Sequence, residues 1–84
     1  MKLFLCLKCQ DVKKLGIENT ICNCGESGGK YLNKLNAVYW GPCVLIGFDN
    51  PSLLKALYKI PEEGMGERFE AFLIPKKCPT TKRI

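Results

Sequence analysis

Apolar positions come in short alternating runs in the first part of the chain and in longer ones in the second. Leu3-Phe4-Leu5, Val12 to Leu15 and Lys30 to Leu32 are separated by Cys/Gly/Asn-rich turns, which predicts a small antiparallel ribbon over 1–36. Ala37-Val38-Tyr39-Trp40 and Val44-Leu45-Ile46-Gly47-Phe48 carry the β-branched and aromatic content of strands, with Gly41-Pro42 punctuating the gap. Arg68 to Ile74 reads as a third strand, with Phe69, Ala71 and Leu73 on one face and Glu70, Phe72 and Ile74 on the other.

Asp49-Asn50-Pro51 is a helix-start signal, because an Asn side chain can cap free amides and proline fits the first turn without losing a hydrogen bond. The helix is expected from about Pro51 to Lys59, with Pro61 ending the segment. Leu53, Leu54, Leu57 and Tyr58 share one face at helical spacing, and that face is expected to cover the sheet. Residues 62–67 form a loop around Gly64-Met65-Gly66, and 76–84 is a basic tail expected to fray. The predicted fold is α+β, a single domain over 1–84. An N-terminal ribbon (1–36) flanks a small antiparallel sheet covered by one helix (β-β-α-β, 37–75), and the tail follows.

A chain of 84 residues is near the size at which a lone core is only marginally sufficient and a staple helps. Its 46% hydrophobic and 25% charged content is that of a folding domain and excludes a disordered chain. No apolar run approaches the roughly 20 residues of a membrane helix, and Lys8 interrupts Met1 to Leu7 before it could serve as a signal-peptide core. The expected location is the cytoplasm, with no membrane partner. Thiols stay reduced there, so six cysteines argue for metal over disulfides.

Cys6-x2-Cys9 is followed after 12 residues by Cys22-x-Cys24-Gly25, two close pairs that a hairpin can return to each other. Glycine after the last cysteine permits the positive φ that turns a backbone around a metal. Four thiolates predict one structural Zn²⁺ in a closed tetrahedral site, with Zn–S near about 2.3 Å and no open position for water. The single residue between Cys22 and Cys24 departs from the two that are usual. Iron–sulfur ligation, a redox-active pair and unliganded thiols are the alternatives, and the last leaves the clustering unexplained. Four thiolates and one divalent ion reduce the formal charge of +5 to about +3, which is only mildly basic.

Over about Leu3 to Leu32, through Cys6-x2-Cys9 and Cys22-x-Cys24-Gly25, the chain resembles zinc-ribbon proteins. It is similar in outline to small bacterial or phage proteins in which a cysteine ribbon precedes a short β/α segment. Zinc ribbons serve in nucleic-acid machinery, as subunit-contact modules and as stabilising inserts. The resemblance therefore implies a binding or stabilising role without choosing among them.

Other motifs are incomplete. Trp40-Gly41-Pro42-Cys43 has tryptophan where a thioredoxin-like dithiol needs cysteine, and the chain has no histidine to activate a thiol. Cys43 reads as a core or strand-edge thiol and Cys78 as a free one. Gly25-Glu26-Ser27-Gly28-Gly29-Lys30 lacks the first glycine and the hydroxyl of a phosphate loop, with Cys24 and Tyr31 in their places. Glu62, Glu63, Glu67 and Glu70 read as a solvated surface. With no complete catalytic set, the chain is not expected to be an enzyme.

Met65, displayed between two glycines, forms with Arg68, Lys76 and Lys77 the candidate contact for a partner. The expected function is a small zinc-binding protein-interaction or regulatory module with an unidentified protein partner, a homodimer being left open. The alternative is a nucleic-acid-binding ribbon, with Lys13, Lys14, Lys30 and Lys34 on phosphates and Tyr31 stacking on bases.

Overall fold

The computed structural model describes residues 1–84. The elements in chain order are β1 (Lys2–Cys6), β2 (Val12–Lys14), β3 (Thr20–Ile21), β4 (Gly28–Tyr31), β5 (Ala37–Trp40), β6 (Cys43–Phe48), α1 (Asn50–Leu57), β7 (Ala71–Ile74) and β8 (Thr81–Arg83). The strands form two four-stranded sheets, ordered β2-β1-β6-β7 and β3-β4-β5-β8. The first is antiparallel throughout, and the second is mixed because β8 runs parallel to β5. Two sheets and one helix give an α+β architecture. No helix is long and apolar enough to cross a membrane.

The strands on either side of Asn36 are interleaved. β1 pairs with β6 from Lys2↔Gly47 to Cys6↔Cys43, and β4 pairs with β5 from Gly28↔Trp40 to Tyr31↔Ala37. The expected small sheet containing both 37–40 and 43–48 is thus corrected, since β5 and β6 belong to different sheets. The reason lies at Gly41, which has φ +86° and sits so close to the Glu26 carbonyl that a Cβ would collide with it. This left-handed turn sends the chain from one sheet to the other, and the Pro42 carbonyl accepts the Leu7 N–H at 2.8 Å.

Alternation along β1 and β6 puts Phe4, Cys6, Cys43 and Leu45 on an inner face, where they meet Ala37 and Tyr39 of the second sheet. Leu15 and Cys22 complete this buried cluster, so its cysteines are continuous with the apolar core. Each buried aliphatic or aromatic side chain there contributes roughly 1.5–3 kcal/mol of transfer free energy.

The helix is placed differently from expectation. It begins at Asn50 with Asp49 in the cap position, and no side chain caps it. Asn50 Oδ1 instead accepts from the N-terminal amine at 3.4 Å. Only Ala56 is buried, while Leu54, Leu57 and Tyr58 are exposed, so the apolar face does not cover a sheet. Ser52 ties the helix down from one end: its hydroxyl donates to the Asp49 carbonyl at 3.0 Å and accepts the Glu70 N–H at 2.8 Å. Phe48 and Phe69 pack edge to face with centroids 5.2 Å apart.

The expected third strand is shorter than its pattern, starting at Ala71. The expectation of a frayed tail is also corrected. β8 lies beside β5 in the register Ala37↔Thr81, Val38↔Lys82, Tyr39↔Arg83, and the Arg83 guanidinium sits 5.8 Å from the Tyr39 ring centroid.

Candidate metal centre

Two hairpin tips face each other at one end of the core. The β1–β2 ladder is closed by Cys6 N–H donating to the Asp11 carbonyl at 2.9 Å, leaving Leu7 to Gln10 as the tip. The β3–β4 ladder is closed by Cys22 N–H donating to the Ser27 carbonyl at 3.0 Å, leaving Asn23 to Gly25 and Glu26 as the tip. In both tips the residue after the second cysteine is left-handed, Gln10 at φ 60° and Gly25 at φ 79°. This conformation turns each second sulfur back toward the first. The one-residue spacing of Cys22 and Cys24 is accommodated because the left-handed residue comes one position earlier in the second tip.

The Sγ atoms of Cys6, Cys9, Cys22 and Cys24 all lie within 4.8 Å of one another, an arrangement that could hold a metal ion. Cys6 and Cys24 are 3.7 Å apart and Cys22 and Cys24 are 3.4 Å apart. A tetrahedron with metal–sulfur distances of about 2.3 Å has edges of about 3.8 Å, whereas a disulfide would need about 2.05 Å. The separations therefore fit shared ligation of one ion, and all six cysteines of the chain are free thiols.

Donors surround these sulfurs. Cys9 N–H donates to Cys6 Sγ at 3.5 Å, Ser27 N–H donates to Cys22 Sγ at 3.4 Å, and the Ser27 hydroxyl donates to Cys6 Sγ at 3.3 Å. Hydrogen bonds to sulfur favour thiolate, which is the form a metal requires. The Ser27 hydroxyl is the largest influence on Cys6, followed by the Cys9 backbone, and together they outweigh burial and bring its thiol down to about 6. Burial raises Cys22, but the Ser27 N–H and Cys24 outweigh it and leave that thiol below its ordinary value. At Cys24 a backbone hydrogen bond from Glu26 lowers the pKa, yet Cys22, burial, Cys9 and Cys6 together push it up to about 12. Four sulfurs held this close resist complete ionisation by themselves, and a divalent cation among them removes that resistance.

The tips are also linked to each other. Asp11 Oδ2 accepts the Asn23 N–H at 3.0 Å, and Lys8 Nζ meets Glu26 Oε1 at 2.7 Å. The second pair is half-exposed to solvent, which screens it, so it contributes little to stability. Ser27 and Asp11 are site residues that the sequence reading does not single out. A serine in a glycine-rich turn and an aspartate after a cysteine pair carry no spacing signal of their own.

The remaining candidates are scattered. Lys13 and Lys14 lie on β2, Lys30 and Tyr31 on β4, and Lys34 in the β4–β5 loop. Tyr31 and Lys34 line a cleft of about 470 Å³ with Ile17, Leu32 and Asn33. The Tyr31 hydroxyl already accepts the Lys2 N–H at 2.9 Å, and the Lys2 ammonium lies 5.5 Å from its ring centroid. Met65 is 93% exposed, and Arg68, Lys76 and Lys77 are exposed around β7. Cys43 is buried and donates to the Trp40 carbonyl at 3.3 Å, with burial raising its thiol; Cys78 sits beside Thr80, whose hydrogen bonds lower its own. No protein family, curated protein or solved structure matches the chain.

Proposed function

We propose that the chain is a small zinc-binding module of the zinc-ribbon kind, not an enzyme, that presents a contact surface to another protein. The single observation that carries the reading is the set of four sulfurs within 4.8 Å, ringed by N–H and O–H donors. Cys6, Cys9, Cys22 and Cys24 would hold Zn²⁺, which supplies charge neutralisation and cross-linking of the two tips. Four protein ligands close the coordination sphere, so the ion has a folding role. The contact surface is the segment 62–77, where Met65 and Arg68 precede β7 and Lys76 and Lys77 follow it.

Native mass spectrometry of protein purified without added metal tests the centre, with a mass increment of one zinc expected. X-ray absorption should then give four sulfurs at about 2.3 Å. An iron–sulfur increment, or no metal, overturns the reading.

A nucleic-acid-binding ribbon is the second reading, favoured by the placement of Tyr31 and Lys34 on one cleft. It requires affinity for single-stranded oligonucleotides that falls steeply as salt rises. Fluorescence anisotropy with a labelled oligonucleotide separates the two, since the protein-contact reading expects no saturable binding at physiological salt.

A further inference from the structure

We propose that β7 is a dimerisation edge, pairing antiparallel with β7 of a second copy about a two-fold axis at Leu73. This inference rests on the reading of 62–77 as a contact surface and names its occupant.

The two sheets have four edge strands, β2, β7, β3 and β8. β2 carries Lys13 and Lys14, β8 carries Lys82 and Arg83, and β3 has only two residues. Charged or very short edges resist pairing with another chain. β7 is Ala-Phe-Leu-Ile, with no charged residue, and Phe72 and Leu73 are exposed on it. Among the four edges it is the one whose strand has no charge and more than three residues.

Which backbone groups of β7 are free follows from its ladder. The Asp49 N–H donates to the Glu70 carbonyl at 3.0 Å, so Glu70 turns its polar groups toward the β6 side. By alternation Phe72 and Ile74 do the same, matching the register Gly47↔Phe72 and Leu45↔Ile74. Ala71, Leu73 and Pro75 therefore turn theirs outward. A two-fold axis at Leu73 makes Leu73 a hydrogen-bonded pair with its own copy and sets Ala71 N–H against the partner's Pro75 carbonyl. Pro75 has no N–H, so the ladder stops there, and pairing is confined to a short symmetric stretch.

Charge selects the same axis independently. Glu70 precedes Leu73 by three positions and Lys76 follows it by three. Antiparallel pairing about Leu73 thus brings Glu70, just before each β7, to the end of the partner strand that Lys76 follows, twice. A sequence that is self-complementary in both backbone groups and charge fits a second copy of itself. The product would be a continuous eight-stranded sheet.

Sedimentation velocity of the full metal-loaded chain between about 1 and 300 μM, a range bracketing micromolar association, should show a reversible monomer–dimer equilibrium. Leu73→Lys sets two ammonium groups side by side at the axis and should weaken the dimer at least about tenfold. Glu70→Lys should weaken it similarly, and the double variant Glu70→Lys/Lys76→Glu should restore it. The side chains of Leu73, Glu70 and Lys76 are exposed, so the substitutions leave the protomer fold intact, checked by circular dichroism. A monomer throughout the range overturns the proposal, as does a dimer indifferent to Leu73→Lys or a charge swap that fails to restore pairing. Metal content measured on the same samples keeps the two readings apart: a zinc-loaded monomer rejects only the dimer, and a metal-free dimer rejects only the zinc.

Discussion

Ser27 holds Cys6: its fully buried hydroxyl donates to Cys6 Sγ at 3.3 Å, while its backbone N–H reaches Cys22 Sγ at 3.4 Å. One residue from the second hairpin tip thereby orients a sulfur from each pair. Neither bond is a ligand bond. Their effect is to fix the sulfurs and favour their ionised form before any ion arrives.

Ser27→Ala removes the hydroxyl without adding volume and keeps the backbone donor. Metal affinity should fall about 10–100-fold, as for other groups that support ligands from outside the coordination sphere. Competition with a chromophoric chelator measures it, and affinity equal to that of the parent protein would remove Ser27 from the centre.

The thiol shifts give a pH dependence with a definite sign. Cys6 falls from 9.0 to about 6 in the folded, metal-free chain, so its contribution to stability is complete above pH 9.0 and disappears as pH drops to about 6. Cys24, pushed up to about 12, favours the folded state while protonated and loses that contribution as pH rises from 9.0 toward 12. Ultraviolet titration of thiolate in the metal-free protein should show one group ionising near 6 and another resisting to near 12. A single transition near 9 would mean that the sulfurs are not held together without metal.

Cysteine replacements separate ligands from bystanders. Cys9→Ser and Cys24→Ser should each abolish the proposed metal binding and lower thermal stability, because a three-thiolate site would lose most of the folding energy that a bound ion supplies. Cys78→Ser, beside Thr80 and outside the cluster, should stay within about 0.5 kcal/mol of the parent. Equal loss in all three variants would contradict the ligand set.

How much of this could be read from the chain follows from what each signal encodes. Ala37–Trp40 and Cys43–Phe48 are marked as strands by their apolar content, and the cysteine pairs by their spacing and by Gly25. Alternation says that a segment is extended, however, and not which strand lies beside it. Gly41-Pro42 suits a hairpin equally well on composition, and only the contact of Gly41 with the Glu26 carbonyl decides for a change of sheet. The helix face reads as a core stripe because Leu54 and Leu57 are apolar, but the inner faces of the two sheets already bury each other. Thr81 to Arg83 is short and basic, which disguises a strand whose partner is more than forty residues earlier.

Left-handed backbone positions should respond in opposite directions to substitution. Gly41→Ala forces a Cβ into the Glu26 carbonyl at φ +86° and should cost at least about 2 kcal/mol, read by chemical denaturation. Gln10 occupies φ 60° without being glycine, so Gln10→Gly relieves strain that exceeds the added unfolded-state entropy. A net gain of about 0.5–1 kcal/mol is expected, and a loss would mean that the Gln10 side chain has a role in the tip.

The last strand makes the sharpest contrast with a frayed end. Ala37 N–H donates to the Thr80 carbonyl at 2.9 Å and Ile84 N–H to the Tyr39 carbonyl at 2.8 Å, so the terminal residues satisfy the outer edge of β5, whose Tyr39 belongs to the core. Removing 80–84 strips these bonds and bares Val38 and Tyr39 together. At roughly 1 kcal/mol per net hydrogen bond, with apolar exposure added, the loss should be about 2–4 kcal/mol. Hydrogen exchange offers a test that needs no truncation. The amide of Ile84, the last residue of the sequence, should be protected to nearly the same degree as that of Ala37, because both report the same parallel ladder. Free exchange at Ile84 with slow exchange at Ala37 would place the terminal bond outside the cooperative fold and confine the ladder to Thr80.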